Sequence, residues 1–179
     1  FCDDDRVYDQ NWAQRFVEAS EQYPEYCVVE RGGYISRLDI IEKFPTKYFA
    51  YRLRRLFSLG LWKPFALVQP GLVDILEGFG GVLVKPSFFS DKVFDIPDVL
   101  WTVDDIWLSG NLAVNGVGIW LNPDRINDGR GSVQSRDEDD FALHKLKYKG
   151  HGRNSADVEC VKYYRENYGI WPKGSSNQP

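Results

Sequence analysis

Two groups of adjacent carboxylates are the residues of this chain best suited to chemistry. The first is the run Asp3, Asp4 and Asp5, and the second is the pair Asp104 and Asp105. Neighbouring carboxylates repel one another, so they are tolerated either in full contact with water or beside a cation that neutralises them. Because Mg²⁺ and Mn²⁺ commonly take one or two protein carboxylates together with phosphate oxygens, Asp3 and Asp5 are suited to holding such an ion.

The second acidic pair begins a predicted helix between Trp101 and Trp107. A partly desolvated Asp has a raised pKa and can act as a general base, which makes Asp104 or Asp105 a candidate catalytic base. A structural interpretation also exists, because Thr102 stands three residues before Asp105 and matches a capping box at a helix start. For the first run, the structural alternative is a solvated acidic loop before a helix amino terminus.

The elements that must position these carboxylates follow from the apolar pattern, which alternates helices with short buried strands. Helices are predicted over 9–25, 46–57, 104–115, 139–147 and 155–169, and strands over 27–29, 34–38, 82–84 and 117–121. This alternation predicts an α/β domain, in which ligands bind at the carboxyl ends of strands. Phe1 and Cys2 look like the tail of such a strand, while residues 122–140 predict a mobile surface loop.

Composition limits the function classes. A chain of 179 residues with 43% hydrophobic and 15% aromatic content predicts one domain, over 1–171, with a fraying tail at 172–179. A net charge of -4 argues against a nucleic-acid binder that works by neutralising phosphates. The three widely spaced cysteines indicate neither a disulfide framework nor a zinc site. No apolar run approaches the roughly 20 residues of a membrane span.

Four stretches, in order, carry a family resemblance: "DDDRVYDQNW", "GFGGVLVKPSFF", "DDIWLSGNLAVNG" and "GHGRN". From residue 1 to about 171, the chain resembles the catalytic portion of metal-dependent glycosyltransferases of the GT-A fold, in particular small glycosyltransferase-like proteins of bacteria and large viruses. The resemblance implies a mixed sheet flanked by helices. It also implies transfer of a sugar from a nucleotide-sugar donor to the hydroxyl of a glycan or other acceptor, with inversion, and dependence on Mn²⁺ or Mg²⁺.

The resemblance also implies roles for individual residues. Asp3 and Asp5 would hold the metal ion on the donor diphosphate, and Asp104 or Asp105 would deprotonate the acceptor. His151 would add a metal or phosphate ligand, although an ordinary loop histidine is the alternative. Gly80 and Gly81 are expected beside the acceptor cleft. The residues expected to contact donor or acceptor are Asp3, Asp4, Gly80, Gly81, Trp101 and Arg153.

One departure from the family pattern concerns the sheet. Members carry a nucleotide-binding βαβ half before the first acidic motif, and this sequence opens on that motif. The sequence therefore predicts a sheet that is incomplete at the amino end, with an exposed edge and apolar surface near residues 1, 2, 28 and 82–84. Such an edge favours self-association or pairing with an amino-terminal partner.

Two other functions remain open from the sequence. The first is a non-catalytic glycan-binding or scaffolding relative of the same fold, in which Tyr48, Phe49, Tyr51 and Trp62 stack on sugar rings. The second is a metal-dependent phosphohydrolase or nuclease, which would use two metal ions about 4 Å apart. The long separation of the two acidic groups and the acidic pI of about 5.2 make this last function the least favoured.

Overall fold

The computed structural model describes residues 1–4, 6–43, 69–123, 132–134 and 153–173. The helices in these ranges are α1 (Trp12–Gln22), α2 (Ile35–Lys43), α3 (Asp104–Val114) and α4 (Arg153–Tyr168). The strands are β1 (Arg6–Tyr8), β2 (Cys27–Val29), β3 (Gly32–Gly33), β4 (Gly71–Val73), β5 (Ile75–Leu76), β6 (Val82–Leu83), β7 (Ile119–Leu121) and β8 (Ser132–Gln134). Short 3₁₀ turns cover Gly78–Gly80, Pro86–Phe88 and Asp91–Phe94.

A four-stranded mixed sheet forms the centre of the described structure, in the order β4-β7-β2-β6. β2 and β7 run parallel, with Val28 opposite Trp120, whereas β4 and β6 run antiparallel to their neighbours. β1 pairs with β8, and β3 pairs with β5, in two smaller antiparallel sheets. The prediction of an α/β chain with a mixed sheet and helices is confirmed at this level.

Phe1 continues the central sheet beyond β6. Its backbone nitrogen donates to the carbonyl oxygen of Val82 over 2.8 Å, and the Val82 N–H donates to the Phe1 carbonyl oxygen over 2.9 Å. Two residues that exchange both bonds form an antiparallel pair. Phe1 therefore runs antiparallel to β6 and parallel to β2 and β7. The expected apolar surface at Val28 and Val82 is wrong, because both side chains are buried, whereas Phe1 is 56% exposed.

Apolar side chains on both faces of the sheet bury it between helices. Phe16 and Ala19, three residues apart on α1, pack on Val28 of β2. On the opposite face, Leu112 of α3 packs against Val29 and its neighbours. A separate apolar core joins α3 to α2 and α4, and includes Ile35, Leu38, Val103, Trp107, Val161 and Tyr164. None of the helices in the described ranges is long and apolar enough to cross a membrane.

The predicted strand over 34–38 is wrong, because this segment belongs to α2. The Asp74 carboxylate accepts a hydrogen bond from the Ile35 N–H over 3.0 Å and so satisfies a backbone donor at the helix start. Ile35 and Leu38 then lie one turn apart and are both buried. Since Asp74 lies far away in sequence, no local motif marks this helix start.

The predicted surface loop over 122–140 is wrong for Ser132–Gln134, which forms β8 and pairs with β1. The helices predicted over 9–25, 104–115 and 155–169 are present as α1, α3 and α4. The strands predicted over 27–29, 82–84 and 117–121 are present as β2, β6 and β7. The helix predicted over 139–147 lies outside the described residues, as does the one predicted over 46–57. Most of the predicted tail, from 174 onward, lies outside them as well.

Candidate functional site

The candidate site lies at one edge of the central sheet. Because β2 and β7 are parallel, their carboxyl ends meet there, and the Asn122 N–H donates to the Val29 carbonyl oxygen over 2.7 Å. β6 is antiparallel to β2, so its first residues start at this edge. Phe1 is parallel to β2, so the chain leaves Phe1 towards Asp3 at the same edge. Ligands of α/β sheets bind outside such carboxyl ends.

The two acidic motifs meet at Gly78. A Cβ atom built on Gly78 would lie 3.0 Å from Oδ1 of Asp105 and 3.6 Å from Oδ1 of Asp3. The same Cβ position lies 3.6 Å from Cε2 of the Phe1 ring. Two carboxylates and one aromatic edge therefore border the space that a larger residue at position 78 would occupy. The sequence identified both acidic motifs, but it did not pair them or assign a role to Gly78.

A backbone hydrogen bond orients Asp105. The Gly78 N–H donates to Oδ1 of Asp105 over 2.9 Å. The capping box predicted from Thr102 is wrong, because the residue at the α3 N-cap is Val103 and no side chain caps this helix start. Asp104 lies in the same first turn but is exposed to solvent. Of the two adjacent acids, Asp105 is thus the one that the fold directs towards Asp3.

Gly80 and Gly81 serve close packing. A Cβ on Gly80 would overlap the side chain of Arg31, and one on Gly81 would overlap the Trp12 ring. Gly81 also has a φ of +96°, in the region that favours glycine. The Trp12 indole N–H donates to the Gly80 carbonyl oxygen over 3.0 Å. These glycines hold the turn against α1 and β2, and Gly78 is the glycine that borders the carboxylates.

Two arginines pack on Phe79 in the same turn. The Arg6 guanidinium carbon lies 4.9 Å from the centroid of the Phe79 ring, and that of Arg31 lies 5.9 Å from it. Guanidinium groups stack on aromatic faces and recognise phosphate or carboxylate groups. Neither arginine was predicted, because Arg6 lies on β1 and Arg31 lies between β2 and β3, and no local sequence pattern links them.

Tyr8 ties the first acidic motif to the turn. Its hydroxyl accepts a hydrogen bond from the Asp3 N–H over 3.1 Å and donates to the Phe79 carbonyl oxygen over 3.2 Å. Burial, followed by the electrostatic effect of Cys2, raises the pKa of Tyr8 to about 12. The hydroxyl therefore keeps its proton at neutral pH and remains a donor to the turn.

The remaining predicted site residues that the structure describes are not among those nearest to the Gly78 Cβ position. Asp4 is exposed, and Trp101 is 48% exposed at the approach to α3. Arg153 is the first residue of α4. Asp5 and His151, both predicted metal ligands, lie outside the described residues.

The donor set is suited to a divalent cation that a substrate helps to hold. Within the described ranges, no group of three or more His, Cys, Asp or Glu side chains forms a complete metal site. The exposed carboxylate of Asp3 nevertheless offers a hard oxygen donor, and the carboxylate of Asp105 also borders Gly78. Two like charges in one place favour a neutralising cation, and Mg²⁺ usually combines few protein carboxylates with phosphate oxygens. The residues present therefore fit such an ion.

Comparison with protein-family models, curated proteins and solved structures finds no match to this chain. The function of the site therefore has to be argued from its own geometry.

Proposed function

We propose that this protein is a divalent-metal-dependent glycosyltransferase that moves a sugar from a nucleotide-sugar donor to an acceptor hydroxyl. The observation that supports this most directly is the convergence of Asp3 and Asp105 on one side of Gly78. Transfer from a nucleoside diphosphate needs neutralisation of the departing diphosphate and removal of a proton from the acceptor. Two carboxylates from different elements, at the carboxyl edge of the sheet, provide one group for each task.

Asp3 is the proposed metal-binding residue of the described structure, and Asp5, two positions further along the sequence and outside the described residues, is proposed as a second ligand. A bound Mn²⁺ or Mg²⁺ would stabilise the negative charge that develops on the leaving diphosphate. Asp3 is suited to this role because its side chain is exposed, while its backbone N–H is held by Tyr8. The carboxylate can thus reach a ligand while the chain that carries it stays fixed.

Asp105 is the proposed general base. Its Oδ1 atom accepts a hydrogen bond from the Gly78 N–H, which fixes the orientation of the carboxylate that would accept the proton. The base removes the proton of the acceptor hydroxyl, and the acceptor oxygen attacks the anomeric carbon from the side opposite the leaving group. Attack from that side inverts the configuration at the anomeric carbon. Asp104 is the supporting residue, because its exposed carboxylate in the first turn of α3 interacts favourably with the helix dipole.

The arginine pair supplies positive charge for an anionic donor. Arg6 and Arg31 flank Phe79, one residue beyond the glycine that both carboxylates border. Guanidinium groups bind phosphate oxygens with defined geometry. We assign to these two arginines the contact with the donor phosphates, in addition to the donor or acceptor contact expected for Arg153.

Calorimetry with a nucleotide sugar tests the proposal. Wild-type protein is titrated with UDP-glucose and with GDP-mannose, with and without Mn²⁺, alongside the variants Asp3→Asn and Glu166→Gln. Glu166 is an exposed carboxylate of α4 and serves as the control for a lost negative charge. We expect binding that requires Mn²⁺ in wild type and in Glu166→Gln, and its loss in Asp3→Asn. Equal binding with and without metal would contradict the proposal.

A non-catalytic glycan-binding protein is the second candidate. The observation in its favour is the set of exposed aromatic rings, since Phe1 is 56%, Trp101 is 48% and Phe94 is 83% exposed. Exposed aromatic rings can stack on sugars without any chemistry. This candidate predicts binding of free oligosaccharides that is independent of metal and of nucleotide. Titration with free oligosaccharides in the presence of EDTA therefore separates the two functions.

A further inference from the structure

Two side chains of α3 accept hydrogen bonds from the backbone N–H groups of Leu76 and Gly78. They take the place of the carbonyl oxygens that a neighbouring strand would offer. The Leu76 N–H donates to Oγ of Ser109 over 3.0 Å, and the Gly78 N–H donates to Oδ1 of Asp105 over 2.9 Å. The residue between them, Glu77, is extended. Alternate N–H groups of an extended segment point the same way, and residues four apart share a helix face. The two bonds therefore form one short ladder between helix and strand.

Ser109 connects this ladder to the residue that carries the carboxylate. Its hydroxyl donates to the backbone carbonyl oxygen of Asp105 over 2.6 Å while it accepts from Leu76. Ser109 is 0% exposed, so water does not compete for either bond. The hydroxyl thus fixes how far α3 is rotated and shifted relative to β5, one turn away from Asp105.

We propose that Ser109 is a positioning residue that holds the Asp105 carboxylate against Gly78 and Asp3. The role in catalysis rests on the proposed glycosyltransferase function, but the effect on Asp105 is a property of the protein without substrate. Hydrogen bonding by the hydroxyl prevents small shifts of α3 that would carry Asp105 away from Gly78. A displacement of about 1 Å is enough to cost roughly 100-fold in rate when a reacting group is misplaced.

The alternative is that Ser109 only satisfies a buried donor and stabilises packing. Tyr164 provides a matched control for this alternative. Its hydroxyl donates to the Trp107 carbonyl oxygen over 2.8 Å and accepts from the Asn111 side-chain amide over 2.7 Å, so it ties α3 to α4. Tyr164→Phe removes a buried hydroxyl of α4 that is hydrogen-bonded to α3, whereas Ser109→Ala removes one of α3 itself, so the control lies away from the ladder.

The first measurement needs no substrate. Amide hydrogen exchange of Gly78 is followed by NMR in wild type, Ser109→Ala and Tyr164→Phe. If Ser109 positions Asp105, Gly78 exchanges about 10-fold faster or more in Ser109→Ala and is unchanged in Tyr164→Phe. Unchanged Gly78 exchange in Ser109→Ala overturns the proposal, whatever the protein is found to catalyse. If Ser109→Ala does not fold, Ser109→Cys, whose thiol is a weak donor and acceptor, is compared with Ser109→Thr, which keeps the hydroxyl. Faster Gly78 exchange in Ser109→Cys than in Ser109→Thr supports the proposal, and equal exchange overturns it.

The second measurement uses Mn²⁺ and UDP-glucose or GDP-mannose, whichever wild type turns over. We expect Ser109→Ala to lower kcat about 10-fold or more with donor affinity nearly unchanged, and Ser109→Thr to restore part of the rate. In the Asp105→Asn background, Ser109→Ala should cause no further loss. Additive losses in the double variant, or equal kcat for Ser109→Ala and Tyr164→Phe, would refute a positioning role. Absence of turnover in wild type counts against the proposed function, and Gly78 exchange then decides the proposal on Ser109.

Discussion

Asp3 and Asp105 direct their carboxylate oxygens to the same side of Gly78, at 3.6 and 3.0 Å from the position of its missing Cβ. Each comes from a separate acidic motif, and their convergence requires both the pairing of Phe1 with Val82 and the packing of α3 on β5. Two carboxylates that border one glycine bring like charges into the same part of the structure. The following predictions test this arrangement and the packing that supports it.

Substitutions of the two acids at the start of α3, Asp104 and Asp105, should have different effects on the rate of sugar transfer. Asp105→Asn should lower the rate of sugar transfer by roughly 100-fold or more while donor affinity is retained, as expected for loss of a general base. Asp104→Asn should change the rate by less than about 3-fold, because this side chain is exposed and interacts with the helix dipole alone. Steady-state kinetics with Mn²⁺ provide the measurement. The reverse ranking of the two variants would move the base to Asp104.

Gly81 should be intolerant of any side chain. Gly81→Ala imposes a φ of +96° on alanine and places its Cβ in the Trp12 ring, so both strain and overlap lower the free energy of unfolding. Gly116→Ala is the matched control, since its φ of +72° adds strain but nothing lies within 4 Å of the new Cβ. We expect a loss of about 1 kcal/mol at Gly116 and about 3 kcal/mol or more at Gly81. Urea unfolding measures both, and similar losses would show that Trp12 moves aside freely.

Arg15 should contribute more to stability than an exposed arginine. Its guanidinium contacts Asp9 through two bonds of 2.7 and 2.8 Å and the buried Glu30 through Nε over 2.6 Å. Removing one partner of a buried charge pair is costly, so Arg15→Gln should lower the free energy of unfolding by about 3 kcal/mol. Arg37→Gln is the control, because Arg37 is 66% exposed beside Glu77 and its ion pair is worth at most about 1 kcal/mol. Equal effects in urea unfolding would contradict the buried role.

Low pH should reduce the stability that Asp9 contributes through its ion pair with Arg15. Hydrogen bonding by Arg15, stronger than the opposing effect of burial, lowers the pKa of Asp9 below its ordinary value of 3.8. A depressed pKa in the folded state contributes stability above pH 3.8, and this contribution is lost as pH falls through the folded pKa. The acid-induced loss of stability should therefore be smaller in Asp9→Asn than in wild type. Parallel pH profiles of the two proteins would refute the assignment.

The buried hydroxyl of Tyr164 should make the protein sensitive to alkali. Burial raises the pKa of Tyr164 well above its ordinary value of 10.0. A raised folded pKa favours the folded state fully below pH 10, and stability is lost as pH rises above that value, where the unfolded chain releases the proton. Tyr164→Phe should lower stability at pH 7 by about 1 to 2 kcal/mol through the lost hydrogen bonds. It should also show a shallower decline above pH 10, measured by urea unfolding across that range.

The sequence predicted the elements whose apolar residues repeat with their own period. α1, α3 and α4 and the strands β2, β6 and β7 were found in this way, because the periodic residues are those that the core buries. α2 was missed because its start is satisfied by Asp74 rather than by a neighbour in sequence. β8 was missed because its pairing with β1 joins segments of the chain whose local composition is polar.

The candidate site was likewise predicted from the sequence only in part. Runs of adjacent acids are visible in any sequence, so Asp3 to Asp5 and the pair at Asp104 were identified. Their meeting at Gly78, and the two arginines on Phe79, depend on which strand lies beside which. The same is true of the glycines, since Gly80 and Gly81 are explained by Arg31 and Trp12, which come from other parts of the chain.

The hydrogen bonds among Asn111, Tyr164 and the Trp107 carbonyl give α3 a second anchor, opposite the one at β5. A Cβ on Gly110 would overlap the Tyr164 ring, so the two helices are in direct contact. α4 therefore supports the packing of α3, the helix that carries Asp105 of the candidate site. A truncated chain that ends before α4 would expose the Trp107 and Leu100 core to water and invite aggregation. For protein engineering, tags and fusions belong beyond α4, and the helix itself has to be kept in any shortened version of the protein.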